Sequence, residues 1–138
     1  MQRKSDMSTS ITPAHEAESY AAYDAIHATL QNYIEGARTG SSQLMRSAFM
    51  DTARVQGSYG GEPADLTLDA FCARIDKGGP AADLEARVVA IDLQGTAAVA
   101  RLEANNWRGF RYTDFFVLLK RSEGWKIASK VFFAHSHA

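Results

Sequence analysis

The sequence predicts an α+β protein, with helices gathered in its first half and an antiparallel sheet built by its second. Two observations carry this. Apolar residues recur at three- and four-residue steps in stretches reaching Ile75, and from Asp83 onward the period switches to two. The stretch from Tyr112 to Phe133 then reads as two long antiparallel strands joined by the charged turn Lys120-Arg121-Ser122-Glu123-Gly124, which closes on a glycine able to take a positive φ.

Taken in order, residues 1 to 11 are polar and aperiodic and are read as a disordered tail, with Met7 an alternative start, and residues 12 to 138 as one domain. Thr12 before Pro13 is a helix entry, and Tyr23, Ile26, Leu30, Tyr33, Ile34 and Ala37 form the apolar stripe of a long helix that Gly40 ends. Ser41 or Ser42 caps a short second helix carrying Leu44, Ala48 and Phe49. It leads through Asp51-Thr52-Ala53 to a strand near Arg54 to Tyr59, whose end Gly57, Gly60 and Gly61 make irregular. Thr67 caps a third helix with Leu68, Phe71, Cys72 and Ile75 on one face, and Gly78-Gly79-Pro80 breaks it. Leu84 to Leu93 and Thr96 to Trp107 are the next strands, turning at Gly95, and Arg108-Gly109 leads into the hairpin.

On the first hairpin strand Tyr112, Asp114, Phe116 and Leu118 share one face, and Thr113, Phe115, Val117 and Leu119 share the other. On the second, Trp125, Ile127, Val131 and Phe133 resume the alternation. Both faces of the sheet are apolar, and three helices cover only one, so the other face calls for a partner, most economically a second copy of the chain. Arg101, Glu103 and Lys130 would lie at that interface among Val99, Phe115, Val117, Ala128 and Phe132. Ala98, Ala100, Leu102 and Ala104 form a row of mostly small residues, which leaves room for a cavity that takes a small molecule.

Composition narrows the function classes. A net charge of −1 gives no global field for nucleic acid or anionic membrane. The longest apolar run, Phe115 to Leu119, has five residues, far short of the ~20 of a membrane-spanning helix. The lone cysteine, Cys72, forms no intrachain disulfide, which suits a reducing cytoplasm. No nucleotide loop or complete metal set is evident, so no cofactor is expected: Gly60-Gly61 lacks the remaining glycines and the lysine of a phosphate loop, and His135 and His137 lack a third ligand. The two histidines read as tail residues.

Three stretches resemble the nuclear transport factor 2-like superfamily, to which ketosteroid isomerases, scytalone dehydratase and SnoaL-type polyketide cyclases belong. They are Leu30 to Ser41 followed by Phe49-Met50-Asp51-Thr52-Ala53-Arg54-Val55, then the helix from Thr67 to Ile75, and Ser122-Glu123-Gly124-Trp125-Lys126-Ile127. The likeness runs from about residue 15 to 135 and is closest to the small bacterial proteins grouped as putative lumazine-binding or SnoaL-like. It implies a cone-shaped, cystatin-like fold, a strongly curved antiparallel or mixed sheet wrapped around three N-terminal helices. It also implies site residues. The helix-1 tyrosine of the isomerase-type members, which donates to a developing oxyanion, falls on Tyr33, seven residues before the helix-ending glycine. Their late-strand acid falls on Asp114 or, with a different turn length, on Phe116. Their general-base aspartate falls on Gly57, so that role is lost.

Read from the residues, Asp114 in an apolar row is either an acid, base or hydrogen-bond donor of raised pKa, or a structural carboxylate paired at the strand end. Tyr33 is either a ligand donor or a core tyrosine bonded to water. Tyr59, Phe71, Trp107, Tyr112 and Phe116 are the candidate lining of the cavity, although aromatics at such spacing commonly serve the core alone. His27 reads as a boundary histidine and Cys72 as an inert buried thiol. The expectation is a dimeric cytoplasmic protein that binds a small apolar or aromatic, polyketide-like ligand. An enzyme of cyclase, isomerase or dehydratase type using Asp114 and Tyr33, and a protein-interaction module using the outer sheet face, stand as its rivals.

Overall fold

A computed structural model describes residues 13–137, with side chains from Tyr20 to His135; the tail and the Thr12 cap lie outside the described residues. The chain runs α1 (Pro13–Thr39), α2 (Ser42–Ser47), β1 (Phe49–Tyr59), β2 (Glu62–Thr67), α3 (Leu68–Gly78), β3 (Glu85–Gln94), β4 (Ala97–Trp107), β5 (Phe110–Arg121) and β6 (Gly124–His137). One six-stranded sheet in the order β2-β1-β6-β5-β4-β3 joins the two halves. It is mixed, because β1 pairs parallel to β6 while the other neighbours are antiparallel. No described helix is long and apolar enough to cross a membrane.

The helices form where their stripes and caps predict, except that Tyr23, expected on the apolar stripe of α1, is exposed. Ile26, Leu30, Tyr33, Ile34 and Ala37 are buried along α1, and Leu68, Phe71, Cys72 and Ile75 along α3, whose Thr67 side chain accepts from the Ala70 amide. Ser41 caps α2 in the same way through the Leu44 amide. Helices α1 and α2 approach closely at Gly36, where a Cβ would stand 2.8 Å from the Met45 backbone nitrogen. At that point a side chain would separate them.

Four elements differ from the expectation. Helix α2 stops at Ser47, so Ala48 is its C-cap and Phe49 already begins β1. Gly60-Gly61 is a tight turn into β2, an extra edge strand that a proline and two acidic residues in Glu62-Pro63-Ala64-Asp65 concealed. His135 and His137 belong to β6 rather than to a tail: His137 pairs with Phe110 and the His135 ring nitrogen meets the Thr113 hydroxyl at 2.9 Å.

The fourth difference decides the site. Between Val117↔Ser129 and Leu118↔Ile127, β6 carries one residue more than β5, a bulge at Ala128 that inverts the alternation. Trp125 and Ile127 face the core before it, and Lys130, Phe132 and Ala134 face inward after it. Val131 and Phe133, expected to continue the inner row, are about half exposed on the outside, while Lys130 and Phe132, expected at the outer interface, are buried. Val89 makes a similar bulge in β3.

The outer face carries Val89, Val99, Phe115, Val117, Val131 and Phe133, each large, apolar and exposed. Arg101, Glu103 and Arg111 sit among them as a surface ion cluster.

Candidate functional site

Three polar side chains meet inside the apolar core, one from each of three elements. Tyr33 comes from the buried stripe of α1, Asp114 from the inner row of β5, and Lys130 from β6 beyond its bulge; their residues are 1%, 0% and 3% exposed. The Tyr33 hydroxyl donates to Asp114 Oδ2 at 3.1 Å and accepts from Lys130 Nζ at 2.5 Å. Lys130 Nζ lies 4.0 Å from the same carboxylate oxygen, so Tyr33 bridges a buried ion pair. Asp114 Oδ1 has no hydrogen-bond partner among the described residues.

Electrostatics and packing oppose each other here. Burial pushes the Asp114 carboxyl above the usual range, against the Lys130 charge and the Tyr33 hydrogen bond. Burial pushes the Lys130 amine below its ordinary value, against the attraction of Asp114. Tyr33 is driven well up, first by burial and then by the neighbouring carboxylate. The charged forms of acid and amine are thus both disfavoured, which lowers the cost of moving a proton from Nζ through the Tyr33 hydroxyl to the carboxylate. The ammonium form has one compensation: rings of Phe71, Tyr33, Phe132 and Trp107 surround Nζ with centroids at 4.7 to 5.3 Å.

Lys130 is the member of the trio that reaches open space. A cavity of about 100 Å³ is lined by Tyr59, Phe71, Arg74, Ile75, Trp107, Tyr112, Lys130 and Phe132. Four of the five aromatics singled out from sequence, Tyr59, Phe71, Trp107 and Tyr112, stand on this wall. Phe116 does not line it; it is 1% exposed and packs edge-on against Tyr33 at 5.0 Å, one layer behind. The small row of Ala98, Ala100, Leu102 and Ala104 is buried in the core and lines none of this space. On the cavity wall Trp107 and Tyr112 meet edge to face at 5.5 Å.

Gly57 shows what became of the missing base. A Cβ there would lie 2.2 Å from the Phe132 carbonyl oxygen and 2.6 Å from its ring, so Phe132 fills the space into which a side chain at residue 57 would project. Cys72 is buried, with its thiol pushed up chiefly by burial. His27 is exposed on α1. No group of three or more metal-ligating side chains occurs among the described residues.

Lys130 is the residue that sequence reasoning missed. Alternation counted back from Phe133 places it outside, and no glycine or proline marks the bulge at Ala128. The one available signal is that both series on β6, Val131-Phe133 and Phe132-Ala134, are apolar, so either can face the core.

Helices on one face of a mixed sheet, with a polar trio beside a small aromatic cavity, define a nuclear transport factor 2-like fold. The putative lumazine-binding family model matches residues 21–133, and the chain belongs to that family. Among solved structures it is similar to a nuclear transport factor 2-like protein of unknown function from Methylobacillus flagellatus KT, at 35% identity and a TM-score of 0.79 over 83% of this chain and 92% of that one. A second such protein, from Shewanella baltica OS155, is 33% identical with a TM-score of 0.78 over 91% and 98% of the two chains. Among curated proteins the chain is 28% identical to a protein named aldolase FrzH from Cladobotryum sp., over 83% of this chain and 91% of that one. Structures with a cystatin-like fold also match, one from Novosphingobium aromaticivorans at a TM-score of 0.70 and 14% identity, which speaks to the fold alone.

Proposed function

We propose that this chain is a SnoaL-like enzyme that moves a proton next to the carbonyl group of a small ligand, as cyclases, isomerases and aldol-type lyases do. The observation that carries the reading is the Lys130–Tyr33–Asp114 relay, buried and ending in a cavity. A carboxyl group of raised pKa is suited to give and take a proton, and a tyrosine hydroxyl held between acid and amine is suited to pass it to Lys130 at the cavity. The similarity to a protein named as an aldolase supports carbonyl chemistry of this kind. The cavity's volume, about 100 Å³, lies below the roughly 300–1,000 Å³ of sites for drug-sized molecules and favours a small ligand or the reacting end of a larger aromatic one.

The experiment is exchange of α-protons for deuterium, followed by proton NMR, across a panel of small aldehydes, ketones and 2-oxo acids. Exchange that falls by about 10²-fold or more in Asp114→Asn and Tyr33→Phe supports the reading. A second reading, a binding protein without turnover, draws on Gly57, where Phe132 occupies the place of the isomerase-type base. Thermal stabilisation by pterins or aromatic compounds, unaffected by these two substitutions and without exchange, would establish it.

We also propose that the outer sheet face meets a second copy of the chain. Six exposed, apolar residues on one surface, Val89, Val99, Phe115, Val117, Val131 and Phe133, make a patch that a monomer rarely leaves open. Sedimentation of the wild type as a monomer at micromolar concentration would exclude this dimer.

A further inference from the structure

In the proposed proton transfer the Lys130 amine does no more than hold and pass a proton, although it is the group of the trio that lines the cavity. We infer that Lys130 forms an imine with the carbonyl carbon of the ligand, and that the ligand is a small carbonyl compound with an anionic end that meets Arg74 at the cavity wall. This rests on the carbonyl reading above and adds a covalent step to it.

The chemistry balances within the trio. An ammonium on Lys130 passes a proton through the Tyr33 hydroxyl, 2.5 Å away, to Asp114 Oδ2, 3.1 Å beyond it, which frees the nitrogen lone pair. That pair forms the C–N bond as the carbonyl π pair moves onto oxygen. The oxygen takes back the proton held by Asp114 and a second from nitrogen, and leaves as water while the nitrogen lone pair closes the C=N bond. The ammonium's three protons end as one on the iminium and two in the water; Asp114 is unchanged and no oxidant or reductant is needed. Hydrolysis runs the same steps in reverse. Positive charge begins and ends on the Lys130 nitrogen, so the four rings around it serve reactant and iminium alike.

Burial and the cavity separate Lys130 from the exposed Lys77 and Lys120 and the half-buried Lys126, whose Nζ donates to the Ser47 carbonyl. An amine in an apolar site, of lowered pKa, is the kind that attacks carbonyls at neutral pH. Arg74 supplies the selectivity. It lines the same cavity, is exposed, and makes no hydrogen bond or ion pair with any described residue, so its guanidinium is free to take a carboxylate.

The test treats the full chain with pyruvate or with propanal, each in the presence of cyanoborohydride, and locates the reduced adducts by peptide mass spectrometry. The expected result is one adduct on Lys130, formed faster than any on Lys77, Lys120 or Lys126, and abolished in Lys130→Arg, which keeps the charge but not the primary amine. Arg74→Gln is expected to slow trapping of pyruvate about tenfold and to leave propanal unchanged. Adducts spread over the other lysines with none on Lys130 overturn the imine, and equal loss of both probes in Arg74→Gln overturns the anion selectivity. Should Lys130→Arg fail to fold, the wild-type adduct map decides alone. α-Proton exchange in a protein that gives no Lys130 adduct sinks this inference and leaves the proposed function standing; an adduct without exchange does the reverse.

Discussion

Asp114 and Glu103 lie on neighbouring strands one register step apart, Asp114 opposite Leu102 and Glu103 opposite Thr113, yet they face opposite sides of one sheet. Asp114 points inward, is wholly buried and is pushed above the usual carboxylate range. Glu103 points outward; burial would raise it, but hydrogen bonds from Thr113 and Arg101 and the charges of Arg101 and Arg111 outweigh burial and hold it below that range. Both carboxylates have cationic partners, so possession of a partner does not distinguish them. What differs is access to water, which disfavours the charged forms of the inner pair and leaves the outer cluster an ordinary surface network.

The largest expected effect comes from breaking the inner pair. Asp114→Leu leaves Lys130 buried without a counter-charge and is expected to cost about 3–5 kcal/mol in urea unfolding. The double variant Asp114→Leu/Lys130→Met replaces both partners with apolar groups and is expected to recover most of that loss, or to exceed the wild type by about 1–4 kcal/mol, while abolishing α-proton exchange. A double variant as unstable as the single one would show that the trio holds the fold together, and the comparison with Glu103 would lose its basis.

A smaller effect is expected at Gly57, where the inner face is closed by Phe132. Gly57→Ala forces a methyl against the Phe132 carbonyl and ring, and overpacking of this kind costs about 1–3 kcal/mol. The displaced ring lines the cavity, so ligand-induced stabilisation should weaken in the same variant. Unaltered stability would mean that β1 and β6 part easily there.

How far the sequence carried this picture depends on where the alternation ran unbroken. Along β5 it did, and Asp114 and Phe116 lie on the inner face expected of them; Tyr33 followed from the helical stripe. The cavity was expected from the small row of Ala98, Ala100, Leu102 and Ala104, which does not line it; its wall is aromatic instead, with Tyr59, Trp107 and Tyr112 near strand ends and Phe71 on the buried face of α3. Lys130 was not legible, since one extra residue at Ala128 inverts everything after it and a bulge without glycine leaves no local mark. Strand β2 was hidden for a related reason: an edge strand keeps its proline and charges because its outer hydrogen-bonding side has no neighbour to satisfy. Burial of a lysine is a property of register across three elements, and composition of any one of them does not report it.

The smallest expected effect is the outer one, and its pH dependence has the opposite sign to that of Asp114. Glu103 has a lowered pKa in the folded state, so its contribution is fully present above the pKa of an unfolded glutamate and fades as pH falls through the folded value. Glu103→Gln should therefore lose no more than about 1 kcal/mol relative to wild type near neutrality, and the difference should vanish in acid. Asp114 has a raised pKa, so between the pKa of an unfolded aspartate and its folded value the folded state binds the extra proton, and stability falls as pH rises. Asp114→Asn removes that slope, so its stability relative to wild type should improve on going from acid toward neutrality, where Glu103→Gln worsens. Melting temperatures of the two variants, measured against wild type between pH 3 and 7 on the rough carboxylate scale, should then diverge in opposite directions. Parallel curves would place both carboxylates in the same dielectric environment, and the proposed proton relay would lose the desolvation on which it depends.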